Sequence, residues 1–129
     1  DECVALRHEL ALLYDQLLAN LPVILPIHSQ THYSGLHLYV IQLDGNKTNL
    51  DRQYVFHELR RLGIGVNVHY IPVHLQPDYQ KLGFQVGEFP ISEQYYQRCI
   101  SLPLFATLTY AQQDQVVQVL SQILMGQNP

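Results

Sequence analysis

Proline and glycine cut this chain into segments too short for long helices, and that punctuation limits the fold more than any other feature. A helical pattern ends at Leu21-Pro22, and Pro26 keeps the next stretch extended. Gly63 closes a second helical pattern, Pro72 ends a strand pattern, and Gly83 and Gly87 bracket a loop. Pro103 and Gly126 close the last two elements. Between these stops the apolar period changes repeatedly from helical to strand-like, so short helices and short strands must share one core.

The first pattern places Cys3, Leu6, Leu10, Leu13 and Leu17 on one helical stripe. Leu36 to Leu43 is rich in β-branched and aromatic residues and reads as a strand, with apolar residues on both faces as if covered on both sides. Asp44 to Lys47 is a turn. Thr48 to Asp51 lead into a helix through Tyr54, Val55, Leu59 and Leu62. Val66 to Ile71 alternates as a strand, with Val66, Val68 and Tyr70 on one side and Asn67 and His69 on the other. Pro77 can open a short helix over Asp78 to Leu82, and Pro90 another in which Ile91, Tyr95 and Cys99 share a face. Ile100 to Leu102 is a minimal strand. Thr109 and Gln112 form a capping-box pattern ahead of a helix carrying Val116, Val117, Leu120 and Leu124. The expected architecture is α/β of the two-layer α+β kind, a sheet of about three strands with helices packed on it.

Composition narrows the function classes. The 129 residues make one domain, and a hydrophobic fraction of 47% supports a real core. Net charge is −4, and Arg60-Arg61 is the only adjacent basic pair, so nothing forms a footprint for nucleic acid or an anionic membrane. His37 and Gln42 interrupt the longest apolar run, which excludes a transmembrane helix there. Cys3 and Cys99 are too few for a disulfide scaffold, the N-terminus lacks the form of a signal peptide, and a cytoplasmic location is expected. The chain starts at Asp1 on a helical pattern, with Met125 its only methionine, and reads as a piece of something longer.

The seven histidines are the visible excess. His57-Glu58 begins like a zinc-protease helix, but Arg61 stands where the second histidine belongs. His69 and His74 would need a third ligand to hold zinc. Gly63-Ile64-Gly65 follows a helix and precedes a strand, the reverse of a phosphate-binding loop, and reads as a helix stop. Cys99 reads as a buried small hydrophobe, and neither Ser34 nor Ser101 has an evident acid–base relay. The dense segment is His69-Tyr70-Ile71-Pro72-Val73-His74, where two imidazoles and a phenol sit at the end of a strand in a proline-pinned loop. Such a loop can hold donors and acceptors at a cleft. The alternative is a turn whose Tyr and His simply pack on the surface.

That segment, followed by Tyr79, Gly83, Gly87, Phe89-Pro90, Glu93, Ser101-Leu102-Pro103-Leu104 and Leu108-Thr109, resembles the C-terminal region of the DegT/DnrJ/StrS family of nucleotide-sugar aminotransferases. Ser34 to Tyr39 and Leu59 to Val66 add to the likeness, which spans essentially the whole chain and is nearest to the branch acting in pseudaminic acid synthesis. Ala106 and the Gly35-Leu36 pair depart from the family pattern. The resemblance implies that residues 1–129 are the small C-terminal domain of a fold-type-I pyridoxal-phosphate enzyme, with a homodimeric parent. Glutamate would be the amino donor, and a UDP-linked 4-keto-6-deoxy sugar the acceptor. It also implies that the cofactor's lysine and the aspartate on its pyridine nitrogen lie in a large N-terminal domain. The only lysines here, Lys47 and Lys81, lack the family's lysine setting, so the chain alone is expected to be inactive and to bind no cofactor. His69, Tyr70 and His74 are implied as the small domain's contribution to substrate binding. The rival expectation is a stand-alone module for small-ligand binding or protein interaction.

Overall fold

In the computed structural model, which describes residues 2–29 and 31–126, the chain opens with helix α1 (Glu2–Leu18). The buried stripe of α1 is Leu10, Ala11, Tyr14 and Leu18, while Cys3, Leu6 and Leu17 of the expected stripe are exposed. Tyr14 decides the phase. Its hydroxyl donates to the Pro103 carbonyl at 3.0 Å, and its ring lies 4.8 Å from that of Tyr39. A phenol that buries its ring and still finds an acceptor outweighs leucines one step around the helix.

The sheet is antiparallel, ordered β1 (Val23–Ile24), β2 (Tyr39–Leu43), β3 (Cys99–Leu102), with Val23 opposite Leu43 and Tyr39 opposite Leu102. The strand expected over Leu36 to Leu43 starts three residues late because Leu36 adopts a φ of 41°, outside extended geometry. On β2, Tyr39, Ile41 and Leu43 are buried and Val40 and Gln42 half-buried, so one face is fully covered and the other partly.

Three strands are present as expected, but they are not the expected three. Val66 to Ile71 forms no ladder; its backbone pairs with β3 only where Asn67 and Ser101 exchange N–H···O bonds of 3.2 and 2.8 Å. The next bonded pairs of an antiparallel ladder would set residue 65 against 103 and 69 against 99. Pro103 has no N–H to give. The Cys99 N–H is already bonded to the Tyr95 carbonyl at the preceding helix end. Pairing stops on both sides of one bridge, and the following residues are released as a loop.

Helix α2 (Arg52–Arg61) is capped by Asp51, whose carboxylate accepts the Gln53 N–H at 2.7 Å, and it buries Val55 and Leu59. Its end has a left-handed Gly63, with Gly63 N–H to Arg60 O and Ile64 N–H to Leu59 O. A 3-10 turn (Val73–Leu75), α3 (Pro77–Lys81) and α4 (Pro90–Arg98) follow, then α5 (Tyr110–Met125). Helix α5 packs against α1 and α2, α2 against β3, and α4 against β2.

The expected capping box starts α5: the Thr109 hydroxyl accepts the Gln112 N–H at 3.2 Å and the Gln112 side chain accepts the Thr109 N–H at 3.0 Å. Val116, Leu120 and Leu124 face inward with Gln113, which sequence pattern had not placed in the core. The Gln113 amide donates to the Leu10 carbonyl at 2.6 Å. Thr109→Ala is expected to cost about 1 kcal/mol in urea unfolding, since it leaves a first-turn N–H without its cap.

Candidate functional site

The loop that leaves the Asn67 bridge carries the three expected site residues and separates them. His69 is half-buried, and its Nδ1 lies 2.7 Å from the hydroxyl of buried Ser101 on β3. Ser101 therefore does have an imidazole partner, contrary to the sequence expectation. No described carboxylate bonds that imidazole, so the pair orients a ring rather than forming a triad. Tyr70 follows with its ring 4.6 Å from that of His69, edge to face, and 71% exposed. Two ring donors thus stand together at the rim, one fixed from below and one open to solvent.

His74 goes the other way. The 3-10 turn behind Pro72 folds it inward to 7% exposure, where its Nε2 donates to Glu93 Oε1 at 2.8 Å and its ring packs 4.7 Å from Phe89. Glu93, in the first turns of α4, also accepts the Gly87 N–H at 2.8 and 3.0 Å and the Phe89 N–H at 3.3 Å. Gly87 can present its N–H this way because its φ is 96°. The His74 hydrogen bond, with those of Gly87 and Phe89, holds the Glu93 carboxyl below its usual range, against the opposing effect of burial.

This node explains a second departure. Ile91 and Tyr95 were expected to share a buried face with Cys99, yet Ile91 is 85% exposed and Tyr95 is also exposed. Glu93 occupies the inward position of α4 and turns them outward. Cys99 is buried as expected, and burial raises its thiol pKa. The outward residues leave an apolar hollow of about 590 Å³ along Phe89, Pro90, Ile91 and Tyr95. A second, of about 290 Å³, is lined by Val73, His74, Tyr79, Phe84 and Phe89. Glu93 and Ser101, which hold the two imidazoles, are supports that sequence reasoning missed. For Glu93 the signal was a glycine six residues before the acid; the Ser101 pairing with Asn67 is visible only in the fold.

Glu93→Gln tests the node through pH. The folded carboxyl titrates below its ordinary 4.5, so its stabilising contribution is complete above about pH 4.5 and disappears as pH falls through the lower folded value. Urea unfolding is expected to find the variant less stable than the wild type at about pH 7, with that gap narrowing as pH is lowered below about 4.5.

Elsewhere, Glu58 is engaged by Arg61, with Arg61 Nη2 donating at 2.7 Å, and no three His, Cys, Asp or Glu side chains converge on a metal position among the described residues. No described helix is long and apolar enough to cross a membrane.

The sequence model of the DegT/DnrJ/EryC1/StrS aminotransferase family matches residues 1–121. The chain belongs to that family. Among its relatives is the spore coat polysaccharide biosynthesis protein SpsC of Bacillus subtilis, 33% identical over 98% of this chain and 33% of its own length. The structure resembles PseC of Helicobacter pylori, an aminotransferase involved in pseudaminic acid biosynthesis (TM-score 0.84, 26% identity, 97% of this chain and 33% of PseC). It also resembles a Streptococcus pneumoniae protein described as a sugar aminotransferase and solved in its PLP form (TM-score 0.86, 25% identity, 96% of this chain and 32% of that one). The chain spans about a third of the length of these three proteins.

The family's coenzyme requires a lysine able to bond it covalently, shielded enough to act as a nucleophile. Lys47, on the turn after β2, lies 3.5 Å from Asp44, and Lys81, at the end of α3, lies 2.8 Å from Asp78; both are exposed. Neither side chain fits that role, so no step through pyridoxal phosphate is assigned to this chain.

Proposed function

We propose that residues 1–129 are the small C-terminal domain of a pyridoxal-phosphate-dependent sugar aminotransferase whose cofactor is held by a large N-terminal domain. Within that protein the donor is glutamate, the acceptor a UDP-linked 4-keto-6-deoxy sugar, and the pathway of the pseudaminic acid type. The parent is a cytoplasmic homodimer. His69 and Tyr70 donate hydrogen bonds on the substrate side of the cleft, and His74 holds the loop that carries them. The observation that carries this reading is the His69–Tyr70 ring pair, 4.6 Å apart, anchored to Ser101 yet open to solvent. Two preoriented donors suit phosphate or sugar oxygens at little entropic cost.

The experiment is to incubate the full-length protein with pyridoxal phosphate, glutamate and either UDP- or dTDP-linked 4-keto-6-deoxy sugars. Formation of the amino sugar from the UDP substrate is the expected result. Turnover of the dTDP sugar alone would remove the pseudaminic acid assignment, and no amination of any nucleotide 4-keto sugar would remove the whole reading.

A further inference from the structure

A polar pocket of about 410 Å³ lies apart from the His69–His74 loop, between the turn after β2, the first turn of α2 and the end of α4. Arg52 and Arg98 both line it. Among the described residues neither Arg52 nor Arg98 sits within 4.0 Å of a carboxylate, as is true also of Arg7 and Arg60, but only Arg52 and Arg98 line one pocket together. Both guanidinium side chains are half-buried, and the Arg52 Nε is fully buried with no acceptor. The Nε is shut off from the pocket, so any ligand there would meet the Nη groups of the fork.

Each arginine is also held in place. Arg52 Cζ sits 5.4 Å above the Tyr96 ring, which fixes the plane of its fork. Arg98 lies directly against Gly45, where an added Cβ would come within 3.0 Å of Nη2 and 3.1 Å of Cζ. Any other residue at position 45 would push the guanidinium aside. Asp51 is the carboxylate in the lining, and it is committed to the Gln53 N–H at 2.7 Å. The Thr48 hydroxyl accepts the Leu50 N–H at 3.2 Å and keeps its own proton to give, and the Gln97 amide adds further donors.

We propose that this pocket binds a phosphate-type oxyanion, gripped between the Arg52 and Arg98 forks. Planar guanidinium groups present paired N–H donors that match phosphate oxygens, and two of them lining one pocket, with its Asp51 carboxylate turned to the Gln53 N–H and not to either fork, leave that match unfilled. The site shares no residue with the His69, Tyr70 and His74 loop and stands whether or not the aminotransferase reading does.

The test is calorimetric titration of the full-length protein with inorganic phosphate, cofactor saturated and ionic strength held with chloride. Wild type is compared with Arg98→Gln and Gly45→Ala. One phosphate site is expected to weaken about tenfold in Arg98→Gln, as befits a lost charge-assisted bond, and about threefold or more in Gly45→Ala. Gly45→Ala keeps both charges and an ordinary backbone, so it decides the matter alone if Arg98→Gln unfolds. No phosphate binding by the wild type up to about 10 mM, or equal affinity in all three proteins, overturns the proposal. Parallel titration with UDP identifies the source. Weakening in step with phosphate means a nucleotide's phosphate is the ligand, and unchanged UDP affinity means the free ion is.

Discussion

Shortening Leu120 to alanine is expected to destabilise the fold by about 3 kcal/mol, the middle of the range for a leucine lost from a packed core. Leu120 is fully buried on α5, the helix that packs against both α1 and α2, so a cavity there separates three elements at once. The neighbours cannot easily close it. Tyr14 is tied to Pro103 through its hydroxyl, Gln113 to Leu10 through its amide, and the first turn of α5 to its own cap. Leu12→Ala is the matched control, because Leu12 is 57% exposed on α1 and should change stability by less than about 0.5 kcal/mol. Urea unfolding followed by tyrosine fluorescence suits both, since the chain has nine tyrosines and no tryptophan. Similar losses at the two positions would mean that the buried stripe of α1 has been misassigned.

That comparison also marks where sequence pattern was enough and where it was not. Caps and stops were legible because they depend on one or two residues: Asp51, Gly63, Pro77, Pro90, Thr109 with Gln112, and Gly126 all do what their chemistry requires. The phase of α1 and the buried face of α4 were not, because each is set by a partner far along the chain. Tyr14 answers to Pro103, 89 residues away, and Glu93 to His74, 19 residues away. Periodicity counts leucines and isoleucines and cannot see that a phenol or a carboxylate has found its buried partner. The Val66–Ile71 segment misled for a related reason. It has the alternation of a strand, but a ladder needs a neighbour with free N–H groups, and β3 offers them at only one place. In the candidate site, the sequence names three neighbouring residues but not how they are arranged. His69, Tyr70 and His74 looked like one cluster in the sequence, and only the fold divides them into a rim pair and a buried latch.

Replacing His69, Tyr70 and His74 together with alanine is expected to lower kcat/KM of the full-length protein about a hundredfold or more, equivalent to ~2.7 kcal/mol of transition-state stabilisation. The division of roles predicts how the single variants differ. Tyr70→Phe removes one solvent-facing hydroxyl and should raise KM with kcat nearly unchanged, the pattern of lost ground-state binding. His74→Ala should act indirectly, freeing the Glu93 carboxylate from its imidazole and loosening the loop, so that stability falls together with activity. Ser101→Ala should mimic a mild His69 defect by releasing the ring, and Ser101→Thr, which keeps the hydroxyl 2.7 Å bond available, should restore it. A triple variant that stays within about threefold of the wild type would show that these residues only shape the surface, and that this domain serves the parent through contacts elsewhere.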